Sequence, residues 1–145
     1  MSKKLETNKP KNNWHINSID YAFEKTVFRA NFNRHKPSSN HWYNLNIGSS
    51  DAHISLLVNT QTNVIAVELY IPKNKELYDM LFENKDAVEA VIGTQLEWRR
   101  LDTKAASRIL LSKKVNLKSL EEREEQFNWF MDHAVAYKKA FLPYF

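Results

Sequence analysis

The stretch WYNLNIGSSDAHISLLVNTQTNVIAVELYI, residues 42–71, decides the fold of this chain. It contains three apolar segments, WYNLNIG, HISLLVN and VIAVELYI, and apolar side chains alternate with others along each of them. Alternation with a period of two is typical of a β-strand that buries one of its faces. The two polar loops between the segments have about five residues each, which is too short for a parallel crossover. The stretch therefore predicts an antiparallel three-strand meander with one buried face.

The same alternation divides the side chains of the meander between two faces. The face that we expect to be buried carries Tyr43, Leu45, Ile47, Ile54, Leu56, Val58, Ile65, Val67, Leu69 and Ile71. The opposite face carries a lone carboxylate, Glu68. Because opposite charges on neighbouring strands attract, we expect this outward carboxylate to pair with Arg99 or Arg108.

The composition limits the class of protein. With 145 residues, 43% of them hydrophobic, the chain is long enough for one domain with its own core, which we place at residues 14–145. Residues 1–13 lack apolar periodicity and predict a mobile basic arm. The absence of cysteine excludes disulfides and thiolate metal sites, and 2 glycines exclude glycine-rich phosphate loops. Since no apolar run could span a membrane and the N-terminus is not signal-like, we expect a cytoplasmic protein without a membrane partner.

Helical periodicity appears on both sides of the meander. Before it, apolar residues recur at helical spacing at Ile19, Phe23, Val27 and Ala30. This pattern predicts a helix that starts near Trp14, with Asn17 or Ser18 as its N-cap. After the meander, residues 74–92 predict a helix capped by Asn74, or two short helices that meet at a bend. Two further strands are predicted at residues 96–101 and 107–113.

The end of the chain carries the clearest helix signal. Ser119 followed by Glu122 is a capping-box pattern. Apolar residues then recur every seven positions, at Leu120, Phe127, Ala134 and Phe141. The whole chain therefore predicts an α+β fold with an antiparallel sheet of about five strands and helices mainly on one face. The predicted order is helix, three-strand meander, helix, two strands, helix.

The positive charge is concentrated in the sequence. The net charge is +4, and residues 99–114 alone carry +5, from six basic residues and Asp102. A second basic segment, the loop at residues 34–41, contains two histidines and a proline and leads directly into the first strand. Clustered cations are typical of phosphate contacts, although a solvated face gives the same pattern. The candidate nucleic-acid-binding residues are Arg34, Lys36, His41, Arg99, Arg100, Arg108 and Lys113.

The sequence gives little support for catalysis or for a cofactor. Five histidines are scattered without helical ligand spacing, so we expect no metal site and no cofactor. A restriction-type nuclease would need an Asp before one strand and Glu-x-Lys on the next. Asp51 and Glu68 occupy comparable positions, but Tyr70 stands where the lysine should be. We therefore expect no catalytic residues.

The ordered segments resemble a known bacterial family, the domain of unknown function 4268 (DUF4268). The resemblance covers about residues 20–142 and is carried by the segments NHWYNLNIG, HISLLVN, VIAVELYIP, ELYDMLFENKDAVEAVIGTQLEW, KAASRILL and FNWF…AYKKAF. It implies no catalytic residues, because the family has none established. Its members also occur at the C-terminal end of proteins whose N-terminal part looks like a restriction-type nuclease. The resemblance therefore implies an accessory role in DNA handling or defence.

Three hypotheses follow for the function. The first is a non-enzymatic accessory or binding module that contacts DNA or RNA. The second is a protein–protein interaction domain, with a nuclease as one candidate partner, for which an exposed apolar patch would be the marker. The third is a degenerate or active enzyme such as a metal-dependent nuclease, for which a pocket with convergent polar groups would be the marker.

Overall fold

The fold is built on a five-stranded antiparallel sheet. The computed structural model describes residues 13–35 and 42–145. The strands in chain order are β1 (Trp42–Asn46), β2 (His53–Asn59), β3 (Val64–Ile71), β4 (Glu97–Arg99) and β5 (Ser107–Lys114). In space they follow the order β1-β2-β3-β5-β4, and each neighbouring pair is antiparallel. The prediction of a meander followed by two further strands is confirmed.

The helices lie before, between and after these strands. They are α1 (Asn13–Phe23), α2 (Thr26–Asn31), α3 (Lys75–Glu83), α4 (Lys85–Ile92) and α5 (Arg123–Phe141), followed by a 3-10 turn (Leu142–Tyr144). None of the helices in the described part of the chain is long and apolar enough to cross a membrane. The predicted N-terminal arm lies outside the described residues, apart from Asn13, which begins α1.

The core forms between the helices and the apolar face of the sheet. The apolar residues of β1–β3 that the alternation assigned to the buried face are all buried, and they join one cluster with side chains from all five helices. The helix α5 packs against β2 and β3. Trp14 meets Phe127 at 5.1 Å between ring centroids, which fixes α1 against α5. Aromatic edge contacts of this kind add to the free energy of burial.

The N-terminal helical segment differs from its prediction. The expected helix ends at Phe23 and restarts at Thr26, so the stripe loses its register. Val27 is 64% exposed and Ala30 is also exposed, while Phe28 takes the buried position against Phe23 at 4.9 Å. The N-cap prediction was also wrong. Asn17 and Ser18 lie inside α1, because the helix begins at Asn13, close to the start predicted near Trp14.

The segment after the meander follows its prediction closely. The Asn74 side chain caps α3 by accepting a bond from Leu77 N–H at 2.9 Å, and α3 and α4 meet at Asn84. Gly93 follows α4 with a φ of +95°, the left-handed conformation that glycine adopts most readily. The strand β4 is shorter than predicted. Leu101 has a φ of +58°, which is not compatible with strand geometry and ends the pairing early.

The last helix begins later than predicted. Half of the capping box forms, because Ser119 Oγ accepts a bond from Glu122 N–H at 3.3 Å, but the helix starts only at Arg123. Leu120 therefore lies in a turn and is 74% exposed, which corrects its place in the apolar stripe. The other three residues of the stripe are buried as expected, namely Phe127, Ala134 and Phe141.

Tyr137 ties α5 to the sheet through one buried hydrogen bond. Its hydroxyl donates to Ile109 O at 3.1 Å, and burial followed by the charge of Glu68 raises the pKa of Tyr137 well above its ordinary value. The phenol therefore keeps its proton. We expect Tyr137→Phe to lower the free energy of unfolding in urea by about 1 kcal/mol, because one buried bond is lost without a change of packing. The control is Tyr144→Phe, since the Tyr144 hydroxyl has no hydrogen-bond partner among the described residues. An equal loss in both variants would contradict this role.

Candidate functional site

The second face of the sheet carries the candidate site. Within the described residues no helix covers this face, and a groove of about 560 Å³ runs over it. We call this space the groove; its lining residues are Trp42, Asn44, His53, Ser55, Leu57, Glu68, Tyr70, Arg99, Leu101, Lys104, Ala106 and Arg108. Because both edge strands, β1 and β4, contribute to the lining, the groove spans the width of the sheet and makes its open face concave.

Strand register arranges the side chains of this face in cross-strand rows. The first row is polar and cationic and consists of Asn46, His53, Tyr70, Arg108 and Arg99. The second row consists of Asn44, Ser55, Glu68, Leu110 and Glu97. The third row is largely apolar and consists of Trp42, Leu57, Ala66 and Ser112. Facing residues in such rows are close enough to interact directly. From the first row to the third, the lining of the groove changes from cationic to apolar.

Glu68 and Arg108 form an ion pair at the floor of the groove. The two residues are diagonal neighbours on β3 and β5, and Arg108 Nε donates to Glu68 Oε1 at 2.5 Å. Glu68 is 4% exposed, while the Arg108 side chain is 31% exposed. The expected pairing of Glu68 with an arginine of another strand is confirmed. Glu68 points to the open face as expected, but the concavity and its neighbours bury it.

Several donors in the groove are not engaged. The terminal nitrogens of Arg108 and the Lys104 ammonium have no hydrogen-bond acceptor among the described residues, and Arg99 is bonded only through Nε, to Glu97. His53 lies half-buried beside Tyr70, with 5.3 Å between ring centroids, and burial lowers the pKa of His53. His53 is therefore neutral at pH 7. The groove thus offers unsatisfied donors from three cations at one end.

The loop between β4 and β5 forms one wall of the groove. Lys75, at the start of α3, holds this loop through hydrogen bonds. Its ammonium donates to Leu101 O at 3.1 Å, to Ala106 O at 2.8 Å and to Ser107 Oγ at 2.9 Å, and it also contacts Arg100 O. An ammonium surrounded by carbonyls is well satisfied, because bonds to a charged donor are stronger than neutral ones. Lys75 therefore fixes the position of the wall.

The sequence of the chain is similar to one known protein family. The model of a family described as a domain of unknown function (DUF4268) matches residues 11–145. The chain belongs to the DUF4268 family. This confirms the resemblance seen in the sequence. No curated protein and no solved structure matches the DUF4268 chain.

Arg99 and Arg108 are the two predicted binding residues that the DUF4268 fold brings together in the groove. Arg100 instead faces α3, where it donates to Asp79 at 2.8 and 3.1 Å, and it also donates to Asp102 of its own loop at 2.5 Å. These hydrogen bonds raise the pKa of Arg100, and the bond from Arg100 is the main cause that lowers the pKa of Asp79. Consecutive residues at the end of β4 therefore serve opposite sides of the molecule.

The tryptophan of β4, Trp98, lies on the helix-covered side of the sheet. Trp98 faces α3 and α4, packs against Tyr78 and Phe82, and donates its indole N–H to Glu89 at 2.9 Å. It shares the helix-covered side with Arg100, as a regular strand requires. Its ring lies against the helices, away from the groove.

The other predicted basic residues are scattered. Arg34 pairs with Asp20 on the helical side of the molecule and lies 5.5 Å from the ring of Phe23. Lys113 faces Ile65 across β3 and β5 and so shares the helix-covered side of the sheet. Lys36 and His41 lie outside the described residues. A role of these four residues in nucleic-acid binding stays a prediction.

Four residues that line the groove are not among the candidates predicted from the sequence. Trp42, His53 and Tyr70 lie on the open face, and Lys104 lies on the loop wall. The alternation of the meander contained the signal for the first three, because it assigns them to the face opposite the apolar side chains. Lys104 belongs to the basic segment 99–114, but its place at the groove depends on the loop held by Lys75, which charge alone does not predict.

The described part of the chain contains no group of three or more His, Cys, Asp or Glu side chains that could hold a metal ion. Asp51 lies exposed in the loop between β1 and β2, and Glu68 is engaged by Arg108. The two carboxylates therefore do not form the carboxylate pair that a restriction-type nuclease uses to hold a metal ion.

The wall of the groove gives a test of the Lys75 contacts. We expect Lys75→Met to lower the free energy of unfolding by about 2 kcal/mol, because the carbonyls lose a charged donor. Amide hydrogen exchange in residues 100–106 should accelerate more than in β1–β3, since the loss is local. The matched control is Lys73→Met, because Lys73 is exposed and has no hydrogen-bond partner among the described residues. Unchanged exchange in the loop would show that other contacts hold the wall.

Proposed function

We propose that this chain is a non-enzymatic accessory module that binds single-stranded nucleic acid on the open face of its sheet. One observation carries the proposal: a concave, helix-free face brings an exposed tryptophan and three cations with unengaged donors into the same groove. Aromatic side chains supply stacking for bases, and basic side chains supply phosphate contacts. Both kinds of group line the same groove, so one nucleic-acid strand could contact both.

The apolar end of the groove supplies the stacking surface. Trp42 is 49% exposed on the edge strand β1 and lies directly opposite Leu57. Its side chain is therefore half-exposed beside an apolar neighbour and available to stack with a base. A base that stacks on such a ring contributes about 1–3 kcal/mol, with little dependence on the identity of the base. Binding through Trp42 should consequently tolerate many sequences.

The shape of the face favours a single strand over a duplex. Proteins read a duplex by inserting a helix or a β-ribbon into the major groove. The open face is concave and presents no such projecting element within the described residues. The splayed bases of a single strand can instead enter a concave surface and stack on its aromatic side chains.

The chemistry of the groove favours binding over cleavage. Glu68 is the single carboxylate among the described residues that line the groove, and Arg108 engages it. Metal-dependent cleavage of a phosphodiester uses carboxylates that are free to coordinate ions. We therefore assign the groove a holding role. An association with a nuclease would follow the arrangement implied by the family resemblance.

A second candidate is a protein-interaction domain that uses the apolar end of the same face. A neighbouring hollow of about 330 Å³ is lined there mainly by aliphatic side chains and Trp42, with Leu57, Val64, Ala66 and Leu110 among them. Apolar surface of this kind suits a protein partner. It would be the preferred interpretation if nucleic acid failed to bind.

Titration with labelled oligonucleotides tests the first proposal. We expect single-stranded DNA or RNA to bind more tightly than a duplex of the same length, with an affinity that falls as salt rises. Trp42→Ala should weaken binding roughly tenfold, because one stacking partner is lost. Lys104→Gln should weaken it for all sequences and reduce the salt slope by about 1.

The control for Lys104→Gln is Lys139→Gln, which removes the same charge from an exposed position on α5, on the helix-covered side of the sheet. It should leave the affinity nearly unchanged. If both lysine variants weaken binding equally, the contact is non-specific and the groove assignment is wrong. If no oligonucleotide binds even at low salt, the nucleic-acid proposal is wrong and the protein-interaction candidate takes its place.

A further inference from the structure

The cationic end of the groove contains an arginine whose direction is fixed by a buried carboxylate. Glu68 holds Arg108 through Nε, which leaves both terminal nitrogens of the guanidinium without an acceptor among the described residues. A guanidinium presents its donors as a rigid fork, and that fork fits two oxygens of a phosphate or carboxylate. Holding Nε therefore orients the two terminal nitrogens before any ligand arrives.

A second cation stands directly opposite this arginine. Arg99 on β4 faces Arg108 on β5 in the strand register. Two like charges in facing positions destabilise a sheet unless other charges compensate them. Each arginine has a carboxylate partner of its own, Glu97 for Arg99 and Glu68 for Arg108, and both contacts use Nε. The terminal nitrogens of both arginines stay available, and an anion bound by both would relieve their repulsion.

Two further groups lie at the same end of the groove. Tyr70 faces Arg108 from β3, and its hydroxyl has no hydrogen-bond partner within the described residues. Lys104 projects from the loop wall, and its ammonium has no carboxylate partner there either. A tetrahedral oxyanion offers enough lone pairs to accept bonds from all of these donors, whereas a planar carboxylate offers two oxygens.

We infer that Arg99, Lys104, Tyr70 and Arg108 form an oxyanion subsite that takes a phosphoryl group, with Glu68 as the positioning residue. The inference rests on the proposed function, because the phosphoryl group would belong to a nucleic-acid strand bound in the groove. A terminal phosphomonoester and an internal phosphodiester share the required chemistry. The subsite would bind one phosphate of the nucleic acid and so determine which base lies next to the apolar end of the groove.

Small probes test the subsite separately from strand binding. The intact chain is titrated, with backbone amide NMR shifts as the readout, with inorganic phosphate, adenosine 5′-monophosphate, adenosine, a dinucleotide without a terminal phosphate, and acetate. We expect the monophosphate to bind in roughly the millimolar range and to shift the amides of residues 99, 104 and 108. Adenosine should bind roughly tenfold more weakly or not at all, because it lacks the phosphate. Acetate should shift the same amides less.

Variants then test the geometry. Arg108→Lys keeps the charge but removes the fork, so the affinity for the monophosphate should fall roughly tenfold. Glu68→Gln keeps the size of the side chain but removes the charge that holds Arg108. It should weaken binding of the monophosphate while the amide shifts of residues outside the groove stay unchanged, an effect that general unfolding would not give. Arg99→Gln is a second, exposed substitution in case Arg108→Lys fails to fold, and Lys139→Gln on α5 is the control that should bind like the parent.

The outcomes separate the subsite from the proposed function. Strand binding with no shift at residues 99, 104 and 108 on addition of phosphate probes would overturn the subsite but leave the function. Monophosphate binding with no strand binding would support the subsite and overturn the function. Acetate as tight as phosphate, or Arg108→Lys equal to the parent, would overturn the phosphoryl assignment. Stronger binding of the monophosphate than of the dinucleotide would identify a terminal phosphate as the ligand, and equal binding an internal one.

Discussion

Strand geometry sends successive side chains to opposite faces of a sheet, and this constraint governs both the core and the candidate site. In β3 the carboxylate of Glu68 stands between Val67 and Leu69, which are both fully buried under the helices. A slip of one residue in the pairing would bring Glu68 into the core and both aliphatic side chains onto the open face. Burial of the apolar face therefore fixes the register, and the register in turn assembles the polar rows of the groove.

The ion pair on the floor of the groove is hard to explain by stability alone. Replacing a buried ion pair by apolar residues of similar size is often neutral or stabilising, because desolvation offsets the Coulomb attraction. The exposed pairs of this chain, such as Arg34 with Asp20, contribute little for a different reason, since water screens them. What Glu68 supplies that an aliphatic side chain would not is a fixed direction for Arg108. An orienting role accounts for both its burial and its position on the open face.

Local sequence patterns predicted most of the fold. The site was harder to predict, because it depends on which distant strands and loops become neighbours in space. The alternation in residues 42–71 correctly identified the meander, its buried face and the outward direction of Glu68. The helical stripe failed at Val27, because a two-residue break after Phe23 shifts the phase of the following turn. Arg99 and Arg100 illustrate the limit for the site. They are adjacent in sequence and equal in charge, yet one lines the groove and the other faces α3, so charge density along the chain could not distinguish them.

The helices α3 and α4 also shape the site, although they lie on the other side of the sheet. The edge strand β4 has three residues and pairs only with β5 among the described strands, so its own ladder holds it weakly. Glu89 of α4 accepts bonds from Leu96 N–H and from the Trp98 indole. Burial raises the pKa of Glu89, but these two bonds and the charge of Lys85 together bring it below its ordinary value, so the acceptor is ionised at pH 7. Lys75 and Asp79 of α3 likewise hold the loop between β4 and β5, through the carbonyls of that loop and through Arg100. Since β4 and this loop form one wall of the groove, the helix pair supports that wall as well as the core.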